Sequence, residues 1–125
     1  MAEYILIVDD ELTIRYMLQE FLREAGYRTK GAADGSECFK IAQAAEKPSL
    51  ILLDYQMPGM TGPEVLSMLK KESTTQEIPV IMISGTENPD GIAMNYGAYA
   101  VLKKPLNLKA LMEAIHNVLD ESFDK

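Results

Sequence analysis

Leu50-Ile51-Leu52-Leu53-Asp54 is a run of four aliphatic residues that stops at a carboxylate, and three other segments of the chain are built the same way. Ile5-Leu6-Ile7-Val8 stops at Asp9-Asp10, Val80-Ile81-Met82-Ile83 at Ser84, and Ala100-Val101-Leu102 at Lys103-Lys104. Short apolar runs without polar alternation are the pattern of parallel strands covered on both faces. The carboxyl ends of such strands share one edge of the sheet, where open α/β sheets place their ligands. That edge gathers three carboxylates, a hydroxyl and an ammonium. The set suits a magnesium ion and a phosphoryl group.

Between the runs the period changes to that of helices. Ile14, Met17, Leu18, Phe21, Leu22 and Ala25 recur at helical spacing, with Gly26 at the position of a C-terminal cap. Tyr27 to Ala32 is short and polar, as suits a strand at the sheet edge. Asp34 with Glu37 caps a second helix, whose stripe Cys38, Ile41, Ala42 and Ala45 runs until Lys47-Pro48. Thr61 and Glu64 offer a similar box for a third helix, with Val65, Met68 and Leu69 inward. About a dozen residues between Ser84 and Gly97, including Asn88-Pro89 and Gly91, leave room for only a short fourth helix. A fifth begins near Asn107, buries Leu108, Leu111, Met112, Ile115, Val118 and Leu119, and ends near Leu119. Five strand–helix pairs with short, right-handed crossovers predict one doubly wound (βα)5 flavodoxin-like domain. The strand order 2-1-3-4-5 brings Asp9, Asp10 and Asp54 to the switch point between strands 1 and 3.

A length of 125 residues with 47% hydrophobic content fits one domain over residues 1–125, with a core of about residues 3–119 and a tail over 120–125. A formal charge of -7, with twelve scattered Lys and Arg, argues against phosphate-backbone binding of nucleic acid. No stretch approaches the roughly 20 apolar residues of a membrane span, and the first residues are unlike a signal peptide. A cytoplasmic protein is expected. Cys38 is the sole cysteine, which excludes an intramolecular disulfide and a cysteine metal cage. His116, the sole histidine, lies off the buried stripe of the last helix and reads as a surface residue.

The motifs taken together resemble a known family. Ile7-Val8-Asp9-Asp10, Leu52-Leu53-Asp54 followed by Met57-Pro58-Gly59-Met60-Thr61-Gly62, Ile83-Ser84-Gly85 and Lys104-Pro105 look like the receiver domain of bacterial two-component response regulators, the CheY-like fold. Each motif alone is common, and their order and spacing at the ends of apolar runs carry the likeness. The resemblance implies that Asp54 is the phosphoacceptor, charged by a histidine kinase or a histidine phosphotransfer protein. It implies Mg2+ bound by Asp10 and Asp54 directly, by Asp9 mostly through water, and by the backbone carbonyl of Gln56. Lys104 and Ser84 would contact the phosphoryl oxygens, and the Lys104–Pro105 bond would be cis. Strand alternation lets only one of Lys103 and Lys104 face the site, and the likeness selects Lys104.

Elementary electrostatics supports the metal, because carboxylates a few Å apart repel by roughly 4 kcal/mol per close pair at an effective dielectric of 20. Asp9-Asp10 also suit the N-terminus of the first helix, with Glu11 continuing the acidic start. Two other functions compete. A degenerate receiver acting as a constitutive protein-binding module would lack an acceptor, an acidic ligand or the lysine, and none is missing. A Mg2+-dependent phosphohydrolase of the haloacid dehalogenase type would carry Asp-x-Asp in place of adjacent Asp9-Asp10, together with a cap.

The chain departs from the family pattern at Val101, where many receivers carry an aromatic residue that follows the phosphorylated state. Signal output is therefore expected through the loop Gly85 to Asp90 and its short helix. No effector domain is expected within the chain, so a monomer would dock a downstream protein through helix 4, strand 5 and helix 5.

Overall fold

The computed structural model describes residues 4–85 and 97–124. Its strands are β1 (Tyr4–Val8), β2 (Arg28–Ala32), β3 (Leu50–Asp54), β4 (Val80–Ser84) and β5 (Ala100–Lys103). The helices among these residues are α1 (Leu12–Glu24), α2 (Gly35–Ala42), α3 (Gly62–Lys71) and α4 (Leu108–Asp124), the last being the fifth of the sequence reading. The short fourth helix expected between Ser84 and Gly97 falls on residues 86–96, outside those described.

The strands form one parallel sheet in the order β2-β1-β3-β4-β5. β1, β3 and β4 are buried throughout, whereas β2 and β5 are partly exposed edges. Alternation divides each central strand between two layers. Tyr4, Leu6, Val8, Ile51, Leu53, Val80 and Met82 pack against Cys38 and Ala42 of α2 and Val65, Leu66 and Leu69 of α3. Ile5, Ile7, Leu50, Leu52, Ile81 and Ile83 pack against Leu18 and Leu22 of α1 and Leu111, Ile115, Val118 and Leu119 of α4. Both faces are thus covered, which is why β1, β3 and β4 carry no charged residue before their carboxyl ends.

The helix ends follow the local chemistry. α1 closes with the Gly26 amide donating to the Arg23 carbonyl and the Tyr27 amide to the Leu22 carbonyl, both at 3.0 Å. Gly26 takes φ +104°, the left-handed turn that this double closure requires and that glycine adopts without strain. Asp34 caps α2 by accepting the Glu37 amide at 2.8 Å, and Thr61 and Glu64 form a reciprocal box on α3. The Asn107 side chain accepts the Ala110 amide at the start of α4.

Several boundaries and inward positions differ from the sequence expectation. α2 stops at Ala42, leaving Ala45 exposed, because the Lys47 ammonium takes the carbonyls of Ala42 and Ala44 and ends the helical ladder early. Leu66 replaces Met68 as a fully buried residue of α3, since the helix presents a wider stripe to the sheet. Met17 and Leu108 are exposed rather than core. α4 continues to Asp124 instead of ending near Leu119, and no Gly or Pro stands after Leu119 to stop it.

Candidate functional site

The carboxyl edge of the sheet collects the reactive side chains. Asp9 lies just beyond β1, where its amide donates to the Ala32 carbonyl of β2 and its Oδ1 accepts the Glu11 amide at 2.9 Å. Asp54 is the last residue of β3. Asp9 and Asp54 are 4% and 5% exposed, whereas Asp10 stands in solvent. One carboxylate oxygen from each of the three lies within 4.8 Å of the others. Lys104 directly follows β5 and is joined to Pro105 by a cis bond, and its Nζ lies 3.0 Å from Asp54 Oδ1. Ser84, fully buried at the end of β4, accepts the Lys104 amide on its carbonyl at 2.8 Å.

Burial and charge pull these groups in opposing directions. Loss of water raises the Asp54 pKa, the Lys104 ammonium opposes that rise, and the Asp10 charge adds to it. Asp9 is likewise raised, chiefly by burial, against the stabilising Glu11 amide. Burial acts to lower the Lys104 pKa, but its hydrogen bond and charge pairing with Asp54, helped by Asp9 and Glu11, leave it raised. The ammonium therefore stays charged, and the carboxylates together outweigh it. Hard oxygen donors with excess negative charge fit a divalent cation that keeps part of its water shell. Among the described residues, Asp9, Asp10 and Asp54 are the one such group of three acidic or His/Cys side chains. A cleft of about 390 Å³, lined by Asp9, Ile83 and Lys104 with Ile14 and Met17 of α1, opens beside them.

The segment after Asp54 folds back onto the sheet. The Tyr55 amide reaches the Ile83 carbonyl at 2.8 Å, the Gly62 amide reaches the Tyr55 carbonyl at 2.7 Å, and Met57 is buried. A Cβ at Gly62 would lie 2.6 Å from the Asp54 carbonyl oxygen and 2.9 Å from Tyr55 Cα, so the start of α3 packs directly on the backbone of the acidic residue. Gln56 is exposed on this loop, and its amide helps to hold the Asp54 carboxylate ionised.

The sequence-predicted residues Asp9, Asp10, Asp54 and Lys104 meet in one place, and Ser84 joins the same edge through its backbone. Lys103 and His116 are exposed, as expected. Asp9-Asp10 do not cap α1 directly: Glu11 occupies the cap position without a side-chain cap bond, and Asp9 braces the turn before it. Sequence reasoning missed Arg15, whose Nη1 donates to the Asp9 carbonyl at 2.6 Å. A bond to a backbone carbonyl leaves no pairing signal in the sequence.

Residues 5–116 match the family model of the response regulator receiver domain. The chain belongs to this family. As a receiver domain it is 36% identical over 121 residues to the sporulation initiation phosphotransferase F of Bacillus subtilis, covering 95% of both chains. It is also 36% identical over 117 residues to the phosphate regulon transcriptional regulatory protein PhoB of Pseudomonas aeruginosa, covering 92% of this chain and 51% of that protein. The chain thus spans about half the length of several curated relatives it matches. Among solved structures, the CheY-like receiver domain protein of Methanospirillum hungatei superimposes with a TM-score of 0.89 at 31% identity, covering 99% of this chain and 98% of that one. The chemotaxis protein CheY4 of Vibrio cholerae gives 0.86 at 32% identity, covering 94% and 99%. Both share the doubly wound architecture, and receivers as a family are signalling phosphoacceptors.

Proposed function

We propose that this receiver takes a phosphoryl group on Asp54 from a phosphohistidine of a histidine kinase or phosphotransfer protein. An Asp54 carboxylate oxygen forms the new bond to phosphorus, the phosphorus–nitrogen bond of the donor breaks, and the donor leaves as imidazole. Asp10 and Asp54 would bind Mg2+ directly, Asp9 through water, and the Gln56 carbonyl would complete the protein's share. Bound there, the ion supplies charge neutralisation for carboxylate and phosphoryl oxygens. Lys104 pairs with the acceptor before transfer and with a phosphoryl oxygen after it, while the Ser84 hydroxyl donates to another. The observation that carries this reading is the 3.0 Å contact of Lys104 with a buried Asp54 beside two further carboxylates.

The role is that of a signalling switch that assists its own phosphorylation and dephosphorylation. A shift in a pre-existing equilibrium would pass to a downstream protein through the surface of β5, α4 and the segment before β5, with the protein acting as a cytoplasmic monomer and without direct nucleic-acid contact. No helix among the described residues is long and apolar enough to cross a membrane. Intact mass after incubation with Mg2+ and acetyl phosphate tests the acceptor. Wild type should gain one phosphoryl group and Asp54→Ala none, and labelling of that variant at another residue would sink the assignment.

A further inference from the structure

We propose that Arg15 is a positioning residue for the divalent-cation site, acting through the peptide that joins Asp9 to Asp10. The role rests on the Mg2+ reading above. Arg15 Nη1 donates to the Asp9 carbonyl oxygen at 2.6 Å, a charge-assisted bond from α1 back to the end of β1. Asp9 is then fixed on three sides: its amide by Ala32, its carboxylate by the Glu11 amide and its carbonyl by Arg15. The third bond differs in its consequence. The Asp9 carbonyl belongs to the planar peptide that continues to the Asp10 Cα, so its direction sets where the Asp10 side chain starts. Asp10 is exposed and gains little positioning from packing. Its oxygen nonetheless lies within 4.8 Å of oxygens from Asp9 and Asp54.

Arg15 is itself held in place. Its half-buried stem passes over Gly31 of β2, where a Cβ would lie 3.1 Å from Arg15 Cδ, 3.3 Å from Cγ and 2.8 Å from Gln19 Oε1. A bare backbone at Gly31 leaves the track along which the guanidinium reaches the carbonyl. The Arg15 bond falls on the Asp9 carbonyl, while the Asp9 carboxylate is held by the Glu11 amide, so Arg15 acts on the peptide. Residues that orient metal ligands from behind alter affinity by tenfold or more when removed, and one bond on a solvent-facing turn belongs at about tenfold.

Arg15→Met keeps most of the stem and removes the donor. In the full chain, NMR titration with Mg2+ should show about tenfold weaker affinity, while the Mg2+-free thermal midpoint stays near that of wild type. Phosphoryl gain from acetyl phosphate should slow at low Mg2+ and recover at saturating Mg2+. Gly31→Ala, which pushes the stem aside, should weaken Mg2+ in the same direction, and the double variant should be no weaker than Arg15→Met alone. A fall in stability without a change in Mg2+ affinity, or additive losses in the double variant, would overturn the role. Asp10→Ala separates the two readings. If it loses Mg2+ while Arg15→Met binds as wild type, the positioning role alone fails, and if neither variant loses Mg2+ the metal site fails with it.

Discussion

Gly62 and Cys38 show how single atoms set the limits of this fold. A methyl at Gly62 would meet the Asp54 carbonyl at 2.6 Å, Met82 Sδ at 2.8 Å and Tyr55 Cα at 2.9 Å, and two of these three are backbone that cannot swing away. Gly62→Ala should therefore cost about 1–3 kcal/mol, read as a lower denaturation midpoint, because overpacking moves main chain. It should also disturb the amide resonances of Asp54 and Tyr55. A variant as stable as wild type would show that the start of α3 can retreat from β3. Cys38 is fully buried in the layer between the sheet and α2, and burial, with the Asp34 charge, pushes its thiol from 9.0 up to about 12. The unfolded thiol therefore ionises while the folded one keeps its proton. Stability from this group is intact below 9.0 and falls as pH rises toward about 12. Relative to Cys38→Ala, wild type should lose about 1 kcal/mol between pH 9 and 10 in denaturant titrations. A parallel pH dependence in the two proteins would contradict the buried, protonated thiol.

At the scale of elements, the caps rank by geometry. Asp34 accepts the Glu37 amide at 2.8 Å, whereas Thr61 accepts the Glu64 amide at a long 3.4 Å and relies on Glu64 reaching back to the Thr61 amide at 2.8 Å. Asp34→Ala should cost about 1 kcal/mol, and Thr61→Ala less, since the shorter half of its box survives the change. Equal losses in thermal denaturation would mean that the box acts as one unit. These caps were legible because they depend on residues three apart in the chain, as was the edge position of β2 from its polar composition. The end of α2 was not legible. It depends on the Lys47 ammonium folding back onto Ala42 and Ala44, a choice made by the loop and not by any period in the helix. Exposure of Met17 and Leu108 escaped for a related reason: both sit at helical spacing on faces that the sheet leaves uncovered beside the cleft.

Across the whole molecule, the acidic site was readable because parallel strands necessarily end on one edge, so residues at strand ends meet however far apart they are in sequence. Arg15 was not, since its contact is to backbone. The same topology limits how a charge added at Asp54 can be felt at a distance. Val101, in register with Met82, packs partly buried against the layer that includes Val80 and Met82, and its short branched side chain has no swing to offer. Ser84 and Lys104 are tied by a backbone hydrogen bond, so a pull on either is felt at the end of β4 and at Gly85 beside it. Tyr99 is partly exposed at the far end of β5, and its amide is anchored to the Val80 carbonyl. Activation with beryllofluoride and Mg2+ should therefore shift Ser84, Gly85 and the residues following Gly85 most among positions away from Asp54, while the Val101 methyl and Tyr99 ring resonances stay near their free positions. NMR comparison of the two states reads this directly. Large changes at Tyr99 and Val101 with Ser84, Gly85 and the residues following Gly85 silent would move the output route to β5, and changes confined to Asp54 and its neighbours would leave α1, beside the cleft, as the surface that carries the signal.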